Sequence, residues 1–186
     1  MTDVKVLTSA PDGPEWFPAW SPDGSYVAYN KGTDPGNEQS VQVINVETGA
    51  SWLALEDARY PAWSPDGDEI LVARNLPPRK ELTVLSVNTS GPAPTFGDNG
   101  YLTEEPMTQD GVVGDPYYIP NSDMIVYHYK TEGDPGSSTW VMDRSTGTTT
   151  DLSGPIMGNN ARRTLSVPRN AQVEFYAVSM VLLPLD

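Results

Sequence analysis

Side chains that could perform catalysis or bind a transition metal are scarce in this sequence of 186 residues. His128 is the single imidazole, and the chain has no cysteine. These two facts exclude a metal site built from several histidines, a thiolate zinc site and a cysteine nucleophile. The G-x-S-x-G elbow and the glycine-rich phosphate loops are also missing. We therefore predict no catalytic residue, no metal ligand and no enzyme activity.

Carboxylates are abundant instead, with 25 Asp and Glu against 11 Lys and Arg and a formal net charge of −14. No cofactor is predicted, although calcium stays open because it needs only carboxylate and carbonyl oxygens. The nearest candidate ligands are Asp12, Asp34 and Asp134, although no D-x-[DN]-x-[DN]-G loop is present. A carboxylate pair for glycoside hydrolysis also stays open, because folding decides which acids meet.

The negative charge also bears on the partners that the protein can bind. Nucleic-acid phosphates should be repelled, whereas a basic protein should be attracted. The longest apolar stretch, 177–185, is far shorter than the roughly 20 residues of a membrane span. The first 13 residues show no signal peptide. We expect a protein partner of basic character, no nucleic acid and no membrane span.

Two identical heptapeptides reveal an internal repeat. PAWSPDG occurs at 18–24 and again at 61–67, and weaker copies occur at 116–122 and 163–170. The proline in the equivalent slot of each copy recurs after 43, 55 and 48 residues. Each copy is followed by a strand-like segment: SYVAYN, DEILVARN, DMIVYHYK and AQVEFYAV.

A second strand-like segment follows in the first three copies, at 41–46, 82–87 and 139–142. It ends at a glycine turn that lies 24 or 25 residues after the first turn. Asp-Gly supplies the positive φ that a hairpin needs, and helix signals are nearly absent. A unit of four antiparallel strands every 40–50 residues is the signature of a β-propeller blade.

In such a blade the short PDG and TG turns share one end, and the longer, more varied connections share the other. The varied connections hold about twelve carboxylates and about five cations. Loops on a rigid scaffold usually carry binding, although acidic loops can also serve solubility alone. The candidate binding residues are Trp16, Phe17, Asp34, Tyr60, Glu104, Glu105 and Asp134. His128 aligns with Asn30 and Ala73 and is interpreted as a polar strand-end residue, and Trp20 and Trp63 are predicted to pack identically between units.

The unit P-x-W-S-P-D-G, followed by two strands and TG, resembles the TolB-like, or WD-like, β-propeller repeat. The match is strongest at 18–49 and 61–91 and extends more weakly over the rest of the chain. This resemblance implies an all-β propeller and favours a periplasmic or exported location, although the localisation is otherwise unknown. TolB-like propellers usually have six or more blades, whereas this sequence holds about four units.

We predict a single propeller domain over 1–186 with about four four-stranded antiparallel blades. The units cover approximately 17–56, 60–101, 115–152 and 162–186, and a strand at 3–8 precedes them. Three alternatives follow for the incomplete fourth unit. The strand at 3–8 closes the last blade, or copies of the chain form a homo-oligomer, or the chain is a piece of a longer protein.

The sequence is more informative about architecture than about activity. The favoured interpretation is a non-catalytic scaffold that binds a protein through its acidic loops. One alternative is a structural subunit assembled by strand exchange. Another is the propeller module of a peptidase or of a carbohydrate-active enzyme.

Overall fold

The computed structural model describes residues 5–8, 13–32, 39–74, 81–102, 112–130 and 136–152, and the backbone of 172–176 and 179–183. These residues contain no helix and form three four-stranded antiparallel sheets and one hairpin. The strands are β1 (Glu15–Trp20), β2 (Tyr26–Gly32), β3 (Gln39–Asn45), β4 (Ser51–Glu56), β5 (Ala58–Trp63), β6 (Glu69–Arg74), β7 (Glu81–Asn88), β8 (Thr95–Tyr101), β9 (Val112–Tyr118), β10 (Met124–Lys130), β11 (Ser138–Asp143), β12 (Thr149–Asp151), β13 (Gln172–Tyr176) and β14 (Ser179–Leu183). The all-β prediction is confirmed.

Each four-stranded sheet is a meander in which neighbours along the chain are neighbours in space. We call these sheets blades 1, 2 and 3, formed by β1–β4, β5–β8 and β9–β12. The second strand segments predicted at 41–46, 82–87 and 139–142 overlap β3, β7 and β11. In the fourth unit β13 pairs with β14, from Gln172 opposite Leu183 to Tyr176 opposite Ser179.

The PDG turns repeat in atomic detail because their side chains bond to their own backbone. In blade 1 the Ser21 hydroxyl donates to Asp23 Oδ1 (2.6 Å) and accepts from the Tyr26 N–H (2.9 Å). In blade 2 Ser64 makes the same two bonds, to Asp66 Oδ1 (2.5 Å) and from the Glu69 N–H (2.9 Å). The serine hydroxyl is the main cause that lowers the pKa of the aspartate in each turn.

Blade 2 is buried on both faces because it is stacked between blades 1 and 3. Ile70 and Leu71 are successive residues of β6, so they point to opposite faces, and both are fully buried. The core between blades 1 and 2 includes Val41, Val43, Ile70, Val72 and Leu85. The core between blades 2 and 3 includes Leu71, Leu82, Ile125, Tyr127 and Met142.

The first strands of the blades lie together. β1 packs against β5 and β5 against β9, whereas the outermost strands β4 and β8 meet in far fewer places. The sheets therefore spread like a fan from β1, β5 and β9, which we call the hub. Face-to-face sheets radiating from their first strands are the architecture of a β-propeller, so the propeller prediction is confirmed.

One slot of the repeat connects each blade to the blade before it. Trp63 in blade 2 stacks on Tyr26 in blade 1, with ring centroids 6.4 Å apart. In blade 3 the equivalent residue, Tyr118, donates a hydrogen bond to Glu69 Oε2 in blade 2 (2.9 Å). Trp20 holds the same slot in blade 1 but is 59% exposed. The prediction that Trp20 and Trp63 pack identically was therefore wrong, because no described residue presents a Tyr26 equivalent to Trp20.

The strand predicted at 3–8 does not occur in its described part. Residues 5–8 lie outside any strand, and residues 3 and 4 lie outside the described residues. Lys5 Nζ donates to the carbonyl oxygens of Val46 (2.6 Å) and Glu47 (3.0 Å). Leu7 packs against the buried residues Val27, Tyr29 and Ile44. These contacts hold the segment on the outer face of blade 1 without strand pairing.

Candidate functional site

A bulge interrupts the first strand of every described blade at the same repeat position. The register between β1 and β2 shifts between Trp16 and Ala19, and the pairs β5–β6 and β9–β10 shift at the equivalent place. The bulged residue is Phe17 in blade 1, Tyr60 in blade 2 and Asp115 in blade 3. All three have positive φ, at 51°, 58° and 46°.

This backbone conformation is costly for these residues. A non-glycine residue with positive φ costs about 1–3 kcal/mol, and each of the three also precedes a proline, which narrows its allowed angles further. Bulges redirect side chains, and they are common beside binding sites. The repetition of the strain in three blades indicates that the surrounding packing determines it.

Blade 1 supplies the side chain that holds the next bulge in place. Asn30 is fully buried, and its Oδ1 accepts from the Tyr60 N–H at 2.8 Å. Its Nδ2 donates to the Ala58 carbonyl at 3.2 Å. Since an amide both donates and accepts, one residue satisfies two backbone groups of blade 2, at the bulged residue and two residues before it.

The bulges bring two of the predicted aromatic residues into contact. Phe17 and Tyr60 meet edge to face, with ring centroids 4.6 Å apart and an interplanar angle of 67°. The Tyr60 ring in turn lies against Gly114, where a Cβ atom would sit only 3.0 Å from Tyr60 Cε2. Phe17 remains 47% exposed. The row Phe17, Tyr60 and Gly114 therefore crosses the three blades at the hub.

In blade 3 the bulge carries a carboxylate instead of an aromatic ring. Asp115 Oδ2 lies 3.2 Å from His128 Nδ1, and the aspartate side chain is 40% exposed. Burial raises the pKa of the nearby Tyr117, and the Asp115 charge raises it further. The predicted strand-end role of His128 agrees with this contact. A partly exposed His–Asp pair can bind polar groups of a ligand.

The bulges lie at the same end of the blades as the longer connections. Glu15 pairs with Lys31 at the start of β1, and Ser40 pairs with Glu56 at the end of β4. A single residue, Asp57, links β4 to β5 and has a φ of 51°. We call this end, formed by Glu15–Phe17, Glu56–Tyr60 and Gly114–Asp115, the loop end.

The predicted binding residues divide into two groups. The structure brings Phe17 and Tyr60 into contact and places Trp16 beside them, in register with Asn30 and half-buried. Asp34, Glu104, Glu105 and Asp134 lie outside the described residues. The calcium candidates Asp12, Asp34 and Asp134 lie there too. In the part that is described, no group of three His, Asp or Glu side chains could hold a metal ion.

Three residues of this site were missed by sequence reasoning: Asn30, Gly114 and Asp115 as a bulge residue. The available signal was the residue before proline, since FPAW, YPAW and DPYY occupy the same place in the repeat. Alignment placed His128 with Asn30, but the two make different contacts.

Among the described residues, no helix is long and apolar enough to cross a membrane.

Comparisons with known proteins show the fold. No protein-family model and no curated protein matches the chain. A putative TolB from Agrobacterium tumefaciens is similar in structure, with a TM-score of 0.59 at 16% identity over 78% of this chain and 50% of that one. Puromycin hydrolase, in its S511A mutant complexed with PGG, gives a TM-score of 0.56 at 16% identity over 81% of this chain and 23% of that one.

The chain thus spans about half the length of the TolB protein that it matches and about a quarter of the hydrolase. At these identities the similarity shows a TolB-like β-propeller fold. Because propellers host many unrelated activities, function has to be argued from the loop end itself.

Proposed function

We propose that this TolB-like propeller is a non-catalytic scaffold that binds a protein partner through the loop end of its hub. The observation that carries the proposal is Phe17. It is an aromatic residue on a strained bulge, it is 47% exposed, and it rests edge-on against Tyr60. A well-supported, exposed aromatic ring is the typical anchor of a protein interface.

Rigid support makes Phe17 a better anchor than an aromatic residue on a free loop. Tyr60 holds one side of the ring, and Asn30 holds the backbone of Tyr60. A preorganised side chain loses little rotamer freedom when a partner binds, so more of the contact energy appears as affinity. The strain at positive φ supports the same interpretation, since sites of function often retain it.

Charge favours a basic partner. The formal net charge is −14, and Glu15, Glu56 and Asp57 lie at the same loop end as Phe17. Lys31 and Arg59 lie at the same end, so the described surface carries both signs. The net field would steer a cationic protein to the molecule and would weaken as salt is added.

A photo-crosslinking experiment tests the proposal. p-Benzoylphenylalanine replaces Phe17 in the full chain, and the protein is irradiated in an extract of its source organism. The matched control carries the same group at Thr48, an exposed residue in the TG turn at the opposite end. We expect a protein adduct at position 17 that is absent at 48, that fades with added salt, and that persists in a His128→Ala background.

Two results would reject the scaffold model. One is equal labelling at 17 and 48, which would mean that the loop end has no special affinity. The other is turnover of a small molecule that His128→Ala abolishes while the fold is retained, since that would make the His–Asp pair catalytic.

A further inference from the structure

The chain already holds one arginine between a carboxylate and an aromatic ring, at the PDG-turn end of blades 2 and 3. Arg144 Nη2 lies 2.9 Å from Glu69 Oε2, and the guanidinium carbon lies 5.3 Å from the centroid of the Tyr118 ring. The Tyr118 hydroxyl donates to the same carboxylate. A guanidinium is planar and delocalised, so it can pair with a carboxylate and lie on a ring at the same time.

The loop end brings the same two kinds of group together around Gly114. The Tyr60 ring lies against Gly114, with Cε2 and Cδ2 3.0 and 3.2 Å from the place of a Cβ atom. Gly114 is directly opposite His128, whose Nδ1 lies 3.2 Å from Oδ2 of the neighbouring Asp115. Directly opposed residues project from the same face of a sheet. The Tyr60 ring, the imidazole and the carboxylate therefore meet at Gly114.

These groups are accessible to a ligand. The Asp115 side chain is 40% exposed, and Phe17, which rests on Tyr60, is 47% exposed. Among the described residues, no lysine or arginine pairs with Asp115, and its Oδ1 accepts no hydrogen bond. The contact with His128 thus orients the carboxylate through one oxygen and leaves the other for a further donor.

We propose that these four residues, Phe17, Tyr60, Asp115 and His128, form a site for an arginine side chain of the partner, and we call them the hub site. This inference rests on the proposed function, because it names the residue by which a basic partner is recognised. Asp115 accepts from the guanidinium, which lies against the rings of Phe17 and Tyr60. Lysine fits less well, since its ammonium is a compact, strongly hydrated charge that cannot lie flat on a ring.

Nuclear magnetic resonance of the full chain, with N-acetyl-argininamide as the probe, tests the hub site. His128 is the single histidine, so histidine labelling of a protein without a histidine tag gives ring signals from this site alone. We expect these signals to shift and to saturate with a dissociation constant of about 10 mM, as for one exposed contact. N-Acetyl-citrullinamide has the same shape without the charge, and at matched salt it should bind at least about fivefold more weakly. N-Acetyl-lysinamide should also bind more weakly than the arginine probe.

Three substitutions locate the contact within the hub site. Asp115→Asn removes the charged acceptor and should raise the dissociation constant about fivefold, while asparagine still tolerates the positive φ of the bulge. Asp123→Asn is the matched control, because it changes the net charge equally in an exposed turn at the opposite end of blade 3, and it should change nothing. Phe17→Leu keeps an apolar side chain without the ring and should raise the dissociation constant about threefold. Circular dichroism checks that each variant is folded.

Four results would overturn the arginine site. One is the absence of any shift up to about 100 mM probe, and another is equal binding of the arginine and citrulline amides. A third is an equal loss of binding in Asp123→Asn and Asp115→Asn, which would mean that net charge alone attracts the probe. The fourth is unchanged binding in Phe17→Leu, which would leave a carboxylate without a ring.

Crosslinking separates this inference from the proposed function. A protein adduct at position 17 that is undiminished by Asp115→Asn would keep the protein partner and reject the arginine contact. The lack of any adduct at position 17 would instead reject the scaffold, whereas the probe titration needs no partner and measures the hub site by itself.

Discussion

Replacing Asn30 with alanine tests whether blade 1 holds the bulge of blade 2. The substitution removes the acceptor of the Tyr60 N–H (2.8 Å) and the donor to the Ala58 carbonyl (3.2 Å). Ala58 is fully buried, so water cannot readily replace the lost donor. Without these bonds Tyr60 should relax from its φ of 58°, and the ring of Phe17 should lose its support.

The loss of stability expected for Asn30→Ala follows from the two backbone groups that lose their hydrogen-bond partner. A buried group left without a partner costs about 1–3 kcal/mol, and the Tyr60 N–H is only partly buried. Relief of the strained bulge returns part of this cost. We therefore expect Asn30→Ala to lower the free energy of unfolding by about 3 kcal/mol, which corresponds to a fall in melting temperature of about 6–12 °C for a chain of this size.

Calorimetry of Asn30→Ala measures this fall, with Gln42→Ala as the control. Gln42 is a half-buried amide of the same blade whose side chain bonds, among the described residues, only to Ser40, so its loss should be small. Asn30→Asp refines the test because its ionised carboxylate keeps the acceptor and lacks the donor, whereas its protonated form has both. Burial should raise the pKa of the new carboxyl in the folded state, so its stability relative to Asn30 should be best in acid and be lost as pH rises through that pKa. A fall below 2 °C for Asn30→Ala, or one equal to that of Gln42→Ala, would refute the anchoring role.

Three further substitutions probe the packing around the site. Gly114→Ala places a Cβ 3.0 Å from Tyr60 Cε2, so it should lower the free energy of unfolding by about 1–3 kcal/mol in a melting experiment. It should also reduce crosslinking at position 17, and an unchanged crosslink would show that the row of Phe17, Tyr60 and Gly114 is not needed for binding. Tyr118→Phe removes a 2.9 Å hydrogen bond to Glu69 and should lower the free energy of unfolding by about 1 kcal/mol, seen as a lower urea midpoint at constant m; no shift of the midpoint would mean that this bond does not join the blades. Ser64→Ala removes the main cause that lowers the pKa of Asp66, so the loss of stability should be full at neutral pH and should shrink as pH falls below about 4. An equal loss of stability at pH 7 and at pH 3 would exclude this linkage.

The repeat in the sequence was sufficient to predict the sheets. PAWSPDG at 18–24 and 61–67 encodes a turn whose serine and aspartate bond to their own backbone, so local residues alone determine it. The strands that follow are rich in β-branched residues because their central residues are buried, in blade 2 on both faces. In this region the local turn chemistry and the burial of the strands favour the same structure. When both do so, the fold can be predicted from the sequence.

The bulges and the surroundings of Trp20 could not be predicted in the same way. Identical residues at 20 and 63 suggested identical packing, but packing depends on whether a neighbour is present on that side. The positive φ of Phe17 depends on tertiary contacts that no short sequence pattern reports. Among the candidate site residues, Phe17 and Tyr60 were chosen as aromatic residues just before a predicted strand. The structure brings them together at the hub, because the first strands of the blades converge there.

The repeat preserves one backbone conformation while it changes the chemistry that the conformation presents. The bulge displays phenylalanine in blade 1, tyrosine in blade 2 and aspartate in blade 3, all at nearly the same φ. The residue paired with the one just before the bulge changes too, from Asn30 to Ala73 to His128. The PDG turns at the opposite end, in contrast, keep the same bonds in the first two blades. If the bulge served only to stack blades, the same side chain would suit every blade, as valine and isoleucine do in the cores. Variation of side chains on a repeated, strained backbone instead supports the proposed binding surface, since each position would contact a different part of one partner.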